Sequence, residues 1–471
     1  MAKITAYVPE PTENYDVNNQ RQILESINTI KNQLNFGYQQ DLINEQAAML
    51  QFMYGNQNGF GCDTGSSTNP SYVAIGGTNT DAFGRLRVSQ PYTLFDSQNR
   101  YAADNQFDTS TVTGGSTTYL PNESSVRMDV NTASGAEVVR QTFRSFPYQP
   151  GKGLLVLATF VMNEAKTNLR QRVGYFGTEN GLYFELNNTT KAFVIRTYIS
   201  GSVDNTTRRV EQSAWNGDKL DGTGPSGLTL DLTKPQILWM DFEWLGVGNV
   251  RCGFVINGQY IICNTYQTAN VFGTSVYMTT AILPLRYEIT NTAATADASY
   301  LKQICSTVIS EGGYEQTSIE HIATMTSATT GSYITTTYKP LVSIRLASTA
   351  LGAVVIPYNI NFLPTTTDNY QIGLFKNGTL TSASYSAVTS DANVEFDITA
   401  SAITGGTLVY SEFLTSRSGR SALSGASASF NFDLQLGASL AGASDVYSLC
   451  VRTLTGTGGG IGLLTFYDLT Q

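Results

Sequence analysis

From residue 100 onward the chain alternates apolar and polar residues with a period of two, and this pattern restricts it to β-structure. Val138–Phe143, Arg172–Phe176, Leu182–Leu186, Ala192–Tyr198, Ile237–Leu245, Val250–Ile256, Gln259–Cys263, Val276–Thr280 and Leu285–Asn291 read as strands. Leu154–Met162 is a continuous apolar run, expected to be buried on both faces. The intervening turns are short: Glu179-Asn180-Gly181, Gly246-Val247-Gly248 and Asn257-Gly258. Asn-Gly accepts the positive backbone angles that a two-residue hairpin needs. Many antiparallel strands at this spacing imply a sandwich or jelly roll.

Residues 340–471 repeat the pattern. Leu341–Leu346, Val354–Phe362, Tyr370–Lys376, Val394–Ile398, Leu408–Leu414, Ser427–Leu436, Val446–Leu454 and Gly462–Tyr467 are the expected strands, with Asn377-Gly378 as another tight turn. Eight antiparallel strands fit a second sandwich of jelly-roll type. Between the two β-regions, residues 313–339 are a Thr- and Ser-rich connector containing the only histidine, His321, where Glu320 and Ile322 suggest a short strand or edge.

The front of the chain differs. Residues 17–35 have helical periodicity behind an N-cap candidate, Asp16. Ile23, Ile27, Ile30 and Leu34 follow the 4-3-4 spacing of a coiled-coil seam. Isoleucine at both seam positions favours three strands or more. So short a coil is marginal alone, so its expected role is the stem of a homotrimer joined elsewhere. A second helical stretch, Gln39–Tyr54, follows Gly37. The expected organisation is a docking peptide and helices over 1–54, a Gly/Ser/Asn-rich linker over 55–80, and a β-sandwich over 81–312. The connector 313–339 and a second sandwich over 340–471 complete it. The fold class is thus mainly β, with a helical, coiled-coil-like anchor before two antiparallel sandwich or jelly-roll domains.

Asp81–Ser97 joins anchor to body. Leu86 and Val88 alternate with Arg85 and Arg87, Pro91 ends that strand or puts it on an edge, and Leu94 and Phe95 restart an apolar face. Leu86, Val88, Leu94 and Phe95 are expected to be the buried core of this junction.

Charged residues are only 14% of the chain and the formal net charge is −9. No basic run offers the clustered cations that phosphate binding requires, so nucleic acid is not an expected partner. No segment approaches the ~20 apolar residues of a membrane-spanning helix. The N-terminal M-A-K-I-T-A-Y-V-P-E lacks the apolar core of a secretory signal. The five cysteines, Cys62, Cys252, Cys263, Cys305 and Cys450, form no C-x-x-C pair and read as free thiols.

Little points to catalysis or to a cofactor. Asp241 and Glu243 share the parity of one strand and are the candidate carboxylate pair for glycoside hydrolysis, but Phe242 and Trp244 then face the core, as in an ordinary one-sided strand. Asp218 and Asp221, in a Gly-rich loop, are the candidate ligands for a hard cation. One histidine admits no His-cluster metal site, and no G-x-S-x-G elbow accompanies it. Trp239 and Trp244 read as core. Trp215 lies in a polar loop and is the candidate for stacking against a glycan.

D-A-F-G-R-L-R-V-S-Q-P-Y-T-L-F-D-S at 81–97, Y-Q-P-G-K-G at 148–153, R-V-G-Y-F-G at 172–177, W-N-G-D-K-L-D-G at 215–222, D-F-E-W-L-G-V-G-N-V-R-C-G-F at 241–254 and L-P-L-R-Y-E-I at 283–289 fall in one order. Together they resemble a virion structural protein of tailed bacteriophages, marine ones especially, over about residues 80–312. Residues 172–262 also resemble concanavalin-like or laminin-G-like sandwiches, whose curved sheet can present a sugar-binding face. The resemblance implies a particle component; together with the composition, the Ile seam, the lack of a catalytic motif and the absent export signal, it makes the expected role a non-enzymatic fibre, spike or head or neck appendage assembled in the host cytoplasm. Its expected partners are itself, capsid, neck or tail proteins through the N-terminal segment, and host-surface glycans. A carbohydrate- or receptor-binding tail protein is the alternative, and a glycan-degrading tailspike enzyme a further one.

Overall fold

Alternate side chains of Leu154–Met162 enter two different environments, and this division sets the architecture. Leu154, Val156, Ala158, Phe160 and Met162 lie in a core, whereas Leu155, Leu157 and Thr159 are half-buried on the opposite face. The run expected to be buried on both faces is thus one-sided over most of its length, with only Val161 buried on the outer side. The computed structural model describes residues 20–32, 90–199, 201–271, 274–315, 318–326, 334–390, 392–415 and 434–470.

Leu154–Met162 is central in the first of two eight-stranded sheets. That sheet runs Gln259–Tyr266, Val250–Ile256, Gln236–Phe242, Leu154–Met162, Ser299–Ser310, Ser125–Val130 and Gly115–Leu120. Ser299–Ser310 is long enough to hold two neighbours on one edge: its first half pairs with Ser125–Val130 and its second half with Tyr92–Gln98. The second sheet runs Ser202–Asp204, Thr190–Ile199, Gly181–Asn187, Leu169–Phe176, Leu285–Asn291, Glu137–Thr142 and Phe107–Val112, with Arg209–Glu211 also on Thr190–Ile199. The ladders of both sheets are antiparallel. Phe160 of one sheet meets Phe184 of the other, and Phe184 also meets Phe254 edge-on at 5.2 Å. One continuous core therefore fills the space between the sheets.

The Asn257-Gly258 hairpin forms, with φ of 55° and 76° at its two central residues. Val276–Thr280 is not a strand: it is a loop whose Tyr277 and Met278 are fully buried. The expected strand Ile237–Leu245 ends at Phe242, so Glu243 lies beyond the ladder. Cys252 and Cys263 are free and buried. A bulge leaves Cys252 opposite Asn264 rather than Cys263. At the junction, Leu94 and Phe95 are 5% and 3% exposed within this core; Leu86 and Val88 lie outside the described residues.

A second core lies between a six-stranded sheet and a three-stranded one. The larger runs Ser386–Ala387, Val394–Asp397, Lys339–Leu346, Val446–Thr453, Asn369–Lys376 and Thr407–Thr415. The smaller runs Ile319–Thr324, Gly460–Asp468 and Val355–Pro364. Ile319–Thr324, inside the stretch read as a connector, is an edge strand here, and its His321 stacks on Phe466 at 5.5 Å. The expected strand Ser427–Leu436 falls mostly outside the described residues, and its end at 434–436 is not strand.

Hydrogen bonds to backbone groups join the two sandwiches. Ala438 N–H donates to Phe143 O at 2.8 Å, Gln435 Nε2 to Ser145 O at 2.7 Å, and Leu440 N–H to Asp108 Oδ2 at 2.7 Å.

Residues 20–32 are helical. Ser26 and Thr29 hydroxyls donate to the carbonyls of Gln22 and Glu25, one turn back. Leu24 is 60% and Ile27 52% exposed, Ile23 and Ile30 are half-buried, and Leu34 lies outside the described residues. Among the described residues no helix is long and apolar enough to cross a membrane.

Candidate functional site

The Y-Q-P-G-K-G segment forms a tight loop next to the sandwich end where Trp244 emerges. Gly151 has φ +87°, a conformation that side chains other than glycine resist, and Lys152 N–H donates to Gln149 O at 3.1 Å. Tyr148, at the start of this loop, stacks on Phe242 and meets Trp244 edge-on at 5.9 Å. Its hydroxyl accepts the Trp244 N–H at 2.9 Å, and burial pushes its pKa upward. Trp244 Nε1 in turn donates to Met278 O at 3.1 Å, one of the bonds that hold residues 276–280 as a loop.

Tyr148 and Trp244 line a cleft of about 550 Å³. Pro147–Pro150 and Lys152 form one wall, Trp244 and residues 279–282 another, and Tyr314 with Glu315 a third; Leu469 and Thr470 close it from the second sandwich. Gln149 is the clasp of this arrangement. Its side-chain oxygen accepts Lys152 Nζ at 2.9 Å and Glu315 N–H at 3.0 Å, while its amide donates to Glu315 O. Tyr314 packs against Tyr92 at 5.9 Å, and burial raises its phenol pKa too. The result is an aromatic-lined cleft with amide, ammonium and hydroxyl groups at its rim. Ligand sites typically combine such apolar walls with a few fixed polar groups.

Lys152 also lines an adjoining cavity of about 390 Å³, with Asp241, Glu243, Asn249, Arg251 and Thr265. Asp241 pairs with Arg251. Its acidic neighbour is Glu311 rather than Glu243: Glu311 hydrogen-bonds to Asp241, and burial together with the Asp241 charge raises the Glu311 pKa.

Trp215 is not available for a glycan. It is 2% exposed, packs against Phe193 at 4.8 Å and donates its indole N–H to Val210 O at 3.2 Å. Its polar sequence neighbours misrepresent a side chain that fills the first core. Trp239, expected in the core, lies on the outer face of the first sheet; it is nonetheless 3% exposed, with Tyr260 edge-on at 5.5 Å. Trp244 is half-buried and lines the cleft. Asp218 accepts the amides of Leu220 and Ser226, and Asp221 accepts the amide and hydroxyl of Thr223, so both carboxylates close their own loop. Among the described residues, no group of three or more His, Cys, Asp or Glu side chains is placed to hold a metal ion.

No family model matches the chain, and no curated protein matches it. Among solved structures, a protein of unknown function from Shewanella oneidensis MR-1 is similar over 50% of this chain and 91% of its own, at 10% identity and a TM-score of 0.33. The carbohydrate recognition domain of Emp47p is similar over 50% of this chain and 100% of its own, at 9% identity and a TM-score of 0.29. The CBM2 module of the evolved Dit of Lactobacillus casei BL23 phage J-1 is similar over 49% and 100%, at 8% identity and a TM-score of 0.31.

Proposed function

We propose that this chain is a non-enzymatic adhesive component of a tailed-phage particle and that its β-body binds host-surface glycan in the Tyr148–Trp244–Tyr314 cleft. The observation that carries the binding role is the convergence of three aromatic side chains on one cleft rimmed by Gln149 and Lys152. Tyr and Trp combine an apolar ring with a polar tip, and a sugar ring offers both C–H faces and hydroxyls, so the two chemistries match. The particle assignment is supported by the ordered motifs between residues 81 and 289 and by a hydroxyl-rich composition with few charges.

In this reading the helix at 20–32 belongs to the coiled-coil stem of a homotrimer, the segment before it docks on capsid, neck or tail proteins, and the second sandwich, of jelly-roll type, projects outward. Assembly takes place in the host cytoplasm.

The test is binding of the full chain to an array of host-surface polysaccharides. Trp244→Ala is expected to weaken binding at least about tenfold, or ~1.4 kcal/mol. Glu315→Trp, which fills the cleft from an exposed rim position, is expected to do the same without disturbing the core. Wild-type protein that binds no glycan overturns the adhesive role, as does binding unchanged by both substitutions. Release of reducing ends from a bound glycan overturns the non-enzymatic assignment.

A further inference from the structure

We infer that the glycan groove continues past Lys152 into the adjoining cavity, where Asp241, Asn249 and Arg251 hold a further, uncharged sugar ring. This rests on the cleft reading above. Lys152 lines both cavities, so the Pro150–Gly153 loop is a shared wall rather than a partition between unrelated sites. Gly153 keeps the floor of the second chamber open. A Cβ there would lie 3.1 Å from Glu311 Oε2 and 3.7 Å from Asp241 Oδ1.

Two polar groups in this chamber, Asp241 and Arg251, are paired before any ligand arrives. Asp241 is held between Arg251 on one side and Glu311 on the other. Arg251 comes from the neighbouring strand, directly opposite Asp241 in the ladder. A carboxylate and a guanidinium side by side offer an acceptor and a donor, the pairing that neighbouring sugar hydroxyls need, since each hydroxyl both gives and takes a hydrogen bond. Two carboxyl groups, Asp241 and Glu243, line the chamber with two cations, Lys152 and Arg251, so it has no surplus positive charge to attract an anionic sugar.

The experiment measures affinity of the full chain for size-fractionated neutral oligosaccharides of glucose, galactose and mannose, from one ring to six, beside a matching uronic-acid ladder. Wild-type affinity is expected to climb by about tenfold or more with chain length. Arg251→Gln and Asn249→Ala, both at exposed positions, are expected to abolish that climb and leave the shortest bound sugar unaffected. Glu315→Trp is expected to lower affinity at every length. A climb that survives both chamber variants overturns the inference, as does wild-type affinity independent of length or a preference for the uronic-acid ladder. Either of the first two outcomes leaves the cleft reading intact if Glu315→Trp still lowers affinity at every length; no binding of any ladder overturns both.

Discussion

Arg172 and Glu288, on neighbouring strands of the second sheet, meet at 3.2 Å with side chains only 8% and 4% exposed. They are part of a lattice on the outer face of that sheet. Glu288 also accepts from Arg286 and Arg170, and Glu185 from Arg172 at 2.6 Å and from Arg209 at 3.2 Å. The guanidinium groups lie over rings: Arg172 over Tyr183, Arg196 over Tyr183 and Phe176, and Arg286 over Phe176. Phe176, Tyr183, Ala192 and Val194 form a small buried cluster beneath them. The face is thus sealed by flattened arginines rather than by another layer of backbone.

This lattice sets an acid limit on the fold. Burial alone would raise the Glu288 pKa, but Arg286, Arg172 and Arg170 overcome it and hold the carboxyl at about 2, against an ordinary value of 4.5. A depressed folded-state pKa contributes stability above the unfolded value and loses it as pH falls through the folded one. Wild-type protein should therefore lose about 3 kcal/mol from this group between pH ~5 and pH ~2. Glu288→Gln should cost about 3–5 kcal/mol at neutral pH, because it strands buried arginines. The gap should narrow on acidification. Denaturant melts of both proteins across that range check it; a gap that stays constant with pH would refute the assignment.

Trp215 and Trp244 should separate cleanly on substitution. Trp215→Ala removes a fully packed ring from the first core and should cost about 3–5 kcal/mol. Its effect on glycan binding should then disappear once the folded fraction is accounted for. Trp244 is half-buried at the cleft, so Trp244→Phe, which keeps a ring but loses the bond to Met278, should lower stability by only about 1 kcal/mol. Thermal melts run beside binding curves distinguish the two; equal stability losses would contradict the placement of Trp215.

Much of the fold was legible because strand period and turn chemistry are local. Asn257-Gly258 forecast a hairpin from two residues, and Leu285–Asn291 was legible as a strand from end to end. The errors have a common cause. Val276, Tyr277 and Met278 are apolar whether they pair in a ladder or thread beneath Trp244 as a buried loop, and periodicity cannot separate those cases. Trp215 carries polar sequence neighbours, yet Phe193 decides its burial from more than twenty residues away. The cleft was illegible for the same reason. Tyr148, Trp244, Tyr314 and Thr470 meet only because the two sandwiches dock and the first sheet brings its loop ends together. The carboxyl pairing shows it most directly: Asp241 and Glu243 are adjacent in parity, but strand end and ladder register give Asp241 to Glu311.

The contact between sandwiches should depend on Gly437. A Cβ at this position would come within 2.8 Å of Phe143 O, a backbone atom that cannot move aside cheaply. The neighbouring amide of Ala438 donates to that same carbonyl. Gly437→Val should therefore cost about 1–3 kcal/mol by overpacking. It should also split a single calorimetric transition into two, as each core comes to melt alone. One unsplit transition at the wild-type temperature would show that the docking contributes nothing to cooperativity.

Oligomeric state is the remaining prediction, and it turns on Ile27. The helix over 20–32 leaves this isoleucine 52% exposed and Leu24 60% exposed in the isolated chain. Apolar side chains repeated along one helical stripe are stabilised when they enter a partner's seam, and isoleucine at successive seam positions favours three helices. A charge placed in that seam would be buried without a counter-ion, at a cost large enough to open so short a coil. Ile27→Asp should therefore loosen the assembly, and truncation of the first 54 residues should do the same if the helix is the main contact. Sedimentation of wild type as a trimer and of Ile27→Asp at one third of that mass is the expected result. A wild-type monomer left unchanged by the substitution refutes the stem. A trimer equally unchanged shifts the contact to the β-body, where Leu408 and Phe413 on the edge strand Thr407–Thr415, 44% and 66% exposed, would be the next side chains to replace.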